Sequence, residues 1–372
     1  MEILFQYLEN GIGIFSHYII PATILLGVLI FVHELGHFIV AKMAGVRVLK
    51  FSLGFGPKVI GKKIGETEYL LSLLPLGGYV KPLGETPDET VAEEDKPFSL
   101  SHQSIPKRFA VLVAGSLFNI IFACLIFTCI YMIGTPMLIP KVGQVLEDSP
   151  AKNSGIMEGD VIESVNAKEI ELWEELSSIV GKSKGERLTL RIRRNGQIYV
   201  VNLRPEITLA RDIFGDSIRT YRIGITSTAS KDSFIEKKYN PAVALWKGIK
   251  DTWKWSKLTM MGLGLLIRSP IERKKDIGGP ILIGKLAGDF ARAGIISFVL
   301  LMAMISINLG ILNLLPIPIL DGGHIFFLCL EAIKGSPISM KKIEIAQQIG
   351  LALLVLIMVF VFYNDITRFI PE

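Results

Sequence analysis

The sequence has little cysteine. Its 372 residues include three, Cys124, Cys129 and Cys329, all in or beside apolar runs. No disulfide framework and no CxxC metal motif can be drawn from them, and their plain reading is small buried residues. No basic run is interleaved with aromatics and the formal net charge is a mild +5, so nothing points to nucleic acid. No Lys or Arg precedes the first long apolar run. That run therefore lacks the basic leader of a cleavable signal peptide, and it carries ionisable residues near its far end. Internal repeats of the kind many transporters show are missing too.

What is present is unevenly spread. Half of the residues are hydrophobic, a total that soluble domains also reach, so the clustering decides more than the sum. Four stretches approach or exceed the roughly 20 apolar residues that a bilayer crossing takes, at about 18–41, 109–133, 295–315 and 349–363. The last is short and its ends are loosely defined. The middle third reads instead like a charged soluble domain. Only Glu2 and Glu9 are charged before the first stretch, whereas Lys42, Arg47, Lys50, Lys58, Lys62 and Lys63 follow it. Basic residues near span ends stay in the cytoplasm, which predicts the N-terminus outside, 46–108 inside, the charged middle outside, and 323–348 inside again.

Inside the first stretch stands His33-Glu34-Leu35-Gly36-His37, an H-E-x-x-H pattern. On a helix, His37 lies about 40° and Glu34 about 100° around from His33, so all three share one side. Two imidazoles one turn apart can hold one zinc ion, and the adjacent carboxylate can take a proton from water and pass it on to a leaving amine. Two histidines and a glutamate within one turn of a membrane helix are costly unless they have a task. A catalytic zinc wants a third protein ligand, and two candidates follow the third stretch in Asn313-Leu-Leu-Pro316-Ile-Pro318-Ile-Leu-Asp321-Gly322-Gly323-His324. The prolines end the helix, which predicts a broken turn that lets Asp321 or His324 reach the two histidines.

Taken together, HELGH, Gly115-Ser-Leu-Phe-Asn119 in the second stretch and the segment from Asn313 to Asp321 resemble the site-2 protease family of intramembrane zinc metalloproteases. The likeness extends over nearly the whole chain and is nearest to the bacterial regulator of sigma-E protease branch. It implies Zn²⁺ held by His33, His37 and Asp321, Glu34 as catalytic acid/base, and Asn313 on the substrate backbone. Pro316, Pro318, Gly115 and Asn119 are grouped with that substrate site, the last two also as a small-residue motif that lets the second span approach the first. It further implies a multi-pass protein of the bacterial inner membrane acting in regulated intramembrane proteolysis. Its substrates would be transmembrane proteins, such as anti-sigma factors or remnant signal peptides, already cut once by another protease.

Two further segments fit that family. Residues 46–82 are Gly-rich and extended, with Gly54-Phe55-Gly56-Pro57 and Leu76-Gly77-Gly78-Tyr79, and read as a β-hairpin dipping back toward the membrane, whose edge could pair with an unwound substrate. Ser149-Pro-Ala-Lys-Asn-Ser-Gly155-Ile-Met-Glu-Gly159-Asp160 resembles a PDZ domain, expected over 140–205. Where the best-known members carry two PDZ domains in tandem, 206–292 shows no second such pattern. Its 241–267 part, with Trp246, Trp253 and Trp255, reads as an amphipathic helix on the outer membrane surface, after which Gly278-Gly279-Pro280 turns toward the third span. The expected fold is thus a polytopic α-helical membrane protein of about four transmembrane helices, with a membrane-associated hairpin and an inserted extracytoplasmic α+β PDZ domain. A PDZ scaffold with an idle zinc site and a zinc transporter are the rivals. Glu34 argues for hydrolysis over both.

Overall fold

A computed structural model describes residues 13, 15–85, 91–212, 214–228, 230–269 and 277–369. The chain divides into two compact units, one formed by residues 1–129 with 242–372 and the other by residues 130–241.

In the first unit a π-helical turn, Phe15–Ile19, leads into α1 (Ile20–Met43). Two long bent strands follow, β1 (Val48–Ile64) and β2 (Thr67–Pro82), and then α2 (Ile105–Ile133). Among the described residues, four helices are long and apolar enough to cross a membrane: Phe15–Met43, Ile105–Ile133, and two later ones, Ile295–Asn313 and Lys341–Arg368. The fourth is nearly twice the length expected from its apolar run, because the helix continues through polar flanks at both ends.

The hairpin is more elaborate than two strands. Phe51 and Ser52 pair with Val80 and Tyr79 on one side and with Tyr69 and Leu70 on the other, while Lys62 and Lys63 pair with Tyr69 and Glu68. Each strand bends back on itself, so four segments lie side by side in the order 78–82, 48–53, 67–71, 60–64. The bend needs glycine: Gly54, Gly56 and Gly77 all have positive φ. Phe51 docks this sheet on α1 through ring contacts with Phe31 and Phe38 at 5.8 and 4.9 Å. The carbonyl of Pro75 lies 3.2 Å from where Gly27 would carry a Cβ, so the hairpin reaches six residues up α1 from His33.

The second unit runs from β3 (Thr135–Leu138) and β4 (Val142–Val145) through α3 (Pro150–Asn153), β5 (Val161–Val165), β6 (Lys168–Glu169) and α4 (Trp173–Lys182). It continues with β7 (Leu188–Arg194), β8 (Gln197–Leu203), a hairpin of β9 (Glu206–Arg211) and β10 (Ser217–Arg222), β11 (Ile225–Ser227) and β12 (Phe234–Lys237). The sheet order is β6-β5-β7-β8, with β11 on β4 and β12 on β3. Its core joins Ile162, Leu190 and Ile192 of the sheet to Leu176 and Val180 of α4, and Ile223 closes it. Asp160, fully buried, is held by both Arg194 nitrogens at 2.7 Å and accepts the Met157 N–H. The domain expected over 140–205 therefore ends too early. Its last strand, β11, lies beyond the β9–β10 insertion and supplies the partner of β4.

Back in the first unit, α5 (Pro241–Arg268), α6 (Pro280–Ala293), α7 (Ile295–Asn313), α8 (Asp321–Lys334) and α9 (Met340–Phe369) complete the chain. Most of the loop expected over 323–348 is helical, in α8 and the start of α9, and the linker expected over 206–292 contains strands and two helices. On α5, Trp246 and Trp253 are exposed while Ala244, Gly248 and Thr252 are buried on one stripe.

Helix α2 is the hub. A Cβ on Gly36 of α1 would meet the Ala114 carbonyl at 2.5 Å, one on Gly310 of α7 the Ser116 carbonyl at 2.8 Å, and one on Gly248 of α5 the Cys124 carbonyl at 2.9 Å. Three helices thus approach α2 at backbone distance because each places a glycine at the contact. That is how apolar helices associate where lipid and side chain are equally oily.

Candidate metal centre

These close approaches bring three donors together. Nε2 of His33 lies 3.0 Å and Nε2 of His37 3.3 Å from Oδ2 of Asp321, and the two Nε2 atoms are 3.2 Å apart. Ligands around one tetrahedral zinc at roughly 2.0–2.2 Å stand about 3.3 Å from each other, which matches this spacing. Among the described residues, His33, His37 and Asp321 are the one group of His, Cys, Asp and Glu side chains converging in this way.

Each donor reaches the point by a different device. The histidines share a face of α1 through their i, i+4 spacing. Asp321 is the first residue of α8, not part of an open turn, and the turn before it is tight. A Cβ on Gly322 would stand 2.2 Å from the Leu315 carbonyl, and one on Gly323 2.3 Å from that of Ile317. The Gly-Gly pair therefore lets α8 start directly against the Pro-rich segment, which aims Asp321 back at α1.

The residues fit a metal ion on two observations besides the donor set. Oδ2 of Asp321 is buried without a hydrogen bond, although two imidazole nitrogens lie beside it. A carboxylate oxygen with two nitrogens this close and no hydrogen bond to either suits atoms that all face a common centre. Space exists for such a centre because residue 115 has no side chain: a Cβ there would lie 2.3 Å from His37 Nε2 and 2.7 Å from His33 Nε2.

Outside the donors, Nδ1 of His37 donates to the Val111 carbonyl at 2.7 Å, and Nδ1 of His33 faces the Asn119 amide at 3.3 Å. Nδ2 of Asn313 lies 3.4 Å from His33 Nε2. Glu34 stands apart from the three donors. Its Oε2 accepts the main-chain N–H of Val80, on the open edge of the hairpin sheet. A cavity of about 260 Å³ opens here, with Glu34, His37 and Asp321 on one wall and Tyr79 and Val80 on another.

The expected substrate residues separate. Asn313 adjoins the donors. Asn119 is fully buried and Gly115 is spent on the space beside the imidazoles, so neither presents a surface to a substrate. Pro316 and Pro318 do not line the cavity, and Pro318 packs against Gly350 of α9 instead. His324 lines the cavity but lies outside the converging group, to which Asp321 belongs. The Val80 N–H and the Val111 carbonyl escape sequence reading because main-chain groups carry no residue identity.

The comparisons agree with this geometry. Residues 21–357 match the model of peptidase family M50. Curated relatives carrying the name "Putative zinc metalloprotease" match along almost their full length. One from Agrobacterium fabrum is 34% identical, over 96% of this chain and 98% of its own. One from Clostridium acetobutylicum is 35% identical, over 94% and 97%, and one from Campylobacter jejuni is 34% identical, over 100% and 99%. Among solved structures, the PDZ domain of an SdrC-like protein from Listeria monocytogenes matches 24% of this chain and 85% of its own at 20% identity, with a TM-score of 0.19.

Proposed function

Since the chain belongs to peptidase family M50 and is an intramembrane zinc metalloprotease, we propose that His33, His37 and Asp321 hold the zinc, with Glu34 as the acid/base that cuts a transmembrane segment. The observation that carries this reading is the convergence of three donors on the space left by Gly115, with a carboxylate just outside them. Bound there, zinc would polarise the scissile carbonyl and acidify water.

The chain's own groups do the rest. Glu34, anchored through one oxygen by Val80, keeps the other for water. It takes a proton as the water oxygen bonds to the carbonyl carbon, then gives that proton to the nitrogen as the C–N bond breaks. Carboxylic acid and amine result. Asn313, beside His33, is placed to hold the substrate backbone.

A transmembrane substrate must unwind first, because helical hydrogen bonds close off its carbonyls. The edge 78–82 of the hairpin sheet borders the cavity as the outermost segment of that sheet, and would receive the unwound piece as an added strand through main-chain groups other than the Val80 N–H. By the distribution of Lys and Arg, this site lies toward the cytoplasm of a bacterial inner-membrane protein and residues 130–241 lie outside, where they would screen substrates by bulk.

The deciding experiment is Glu34→Gln. The variant should keep zinc and bind substrate while turnover falls roughly 10²–10⁴-fold, the usual loss for a removed proton acceptor. Cleavage at near-normal rate would remove Glu34 from the mechanism.

A further inference from the structure

We infer that Asn119 is a positioning residue that selects the tautomer of His33 and thereby makes its Nε2 available to the metal. The inference rests on the assignment of His33 as a zinc ligand. Both histidines point Nε2 at Asp321, so both must offer a lone pair at Nε2 and carry their proton on Nδ1. For His37 this is secured by the Val111 carbonyl, an obligate acceptor 2.7 Å from Nδ1. For His33 the group opposite Nδ1 is the side-chain amide of Asn119.

That amide has two faces. With Nδ2 toward the ring, at 3.3 Å, it donates to Nδ1 and drives the ring proton onto Nε2, toward His37 and Asp321. The same orientation leaves Oδ1 sealed inside the protein without a partner. A half-turn of the amide reverses both effects: Oδ1 accepts Nδ1–H, and Nε2 is left with a free lone pair. The metal-ready tautomer thus gives Oδ1 a donor, while Nδ2 takes the place that Oδ1 held.

The surroundings hold Asn119 at this station. It is fully buried, its main-chain carbonyl accepts the Ser306 hydroxyl at 2.8 Å, and Gly310 of α7 closes over its Cβ.

The test is zinc affinity, read by chelator competition on purified full-length protein, for wild type, Asn119→Leu, Asn119→Asp and His33→Ala. Leucine keeps the volume and removes the acceptor, so Asn119→Leu should weaken zinc binding by roughly 10–100-fold, as loss of a ligand's outer partner does. Aspartate keeps an acceptor, so Asn119→Asp should stay within about threefold of wild type. Wild-type affinity in Asn119→Leu, or equal losses in both, would overturn the inference. Retention of zinc by His33→Ala would instead overturn the ligand assignment. Should Asn119→Leu fail to fold, ¹⁵N-histidine spectra of full-length wild type stripped of zinc still decide. The protein has five histidines, and His33 is identified by its loss in His33→Ala. Its Nδ1 should carry the proton, and a bare Nδ1 would refute the idea.

Discussion

The main-chain N–H of Val80 reaches Oε2 of Glu34 across 3.1 Å, tying the edge of a β-sheet to the residue next to His33. The N–H points away from the pairing with Phe51, so the sheet loses no internal bond by giving it up. The orientation of the proposed base therefore depends on where the hairpin lies.

Val80→Pro would remove that donor without cutting the ladder. We expect zinc content to stay at the wild-type level while kcat falls roughly 10–100-fold, in line with about 1.5–3 kcal/mol for a hydrogen bond to a charged group. Single-turnover kinetics on a model transmembrane peptide would measure it. An unchanged kcat would mean that the anchor is idle.

Metal analysis of purified protein should find about one zinc per chain. His33→Ala and Asp321→Ala should each lose it, and His324→Ala should keep it. The opposite result for the last two would show that His324 is the third ligand.

Gly115→Ala adds one methyl group where the imidazole nitrogens leave no room for it, 2.3 Å from His37 Nε2. Zinc should be lost while the helical content seen by circular dichroism is unchanged. Normal zinc in this variant would place the ion elsewhere.

Orientation is testable by labelling. A cysteine at Gln197 should react with an impermeant thiol reagent on intact cells, and one at Lys62 only after permeabilisation. The reverse pattern would invert the topology.

Deleting 142–203 alone would strand β11 without β4, so the second unit should be removed whole, from 136 to 236, with a short linker. The product should keep zinc and cleave a short, trimmed substrate at the normal rate. It should also accept a substrate with a bulky outer domain that the intact enzyme rejects. Loss of cleavage of the trimmed substrate, in a folded and zinc-loaded product, would make the unit a recruiter.

The features legible in the sequence were those with dense local signals. HELGH fixes its own geometry through the helical repeat, and the apolar runs announce α1, α2 and α7. The acid after the prolines is explicable only by a partner, and the structure supplies the two histidines. Less legible were elements defined by distant partners. Strand β11 is three residues long and is recognised only by what it pairs with. Helix α8 opens on Asp-Gly-Gly, a poor helical start on propensity, and forms because packing against 314–318 leaves no space for larger residues. Asn119 looks like one half of a packing motif, and only its distance to His33 Nδ1 suggests another task.

The pairing of β3 with β12 sets Thr135 opposite Lys237, so the chain enters and leaves the second unit through one two-stranded ribbon. The ends of a hundred-residue excursion are thereby fixed at a single hydrogen-bonded gate. The entropy of closing the excursion is met there, and it grows only logarithmically with length. Whatever is inserted beyond the ribbon, long or short, presents the same two tethered ends to the helices that follow. Evolution could thus lengthen, shorten or replace what lies beyond the ribbon at little entropic cost, which makes the ribbon a splice point.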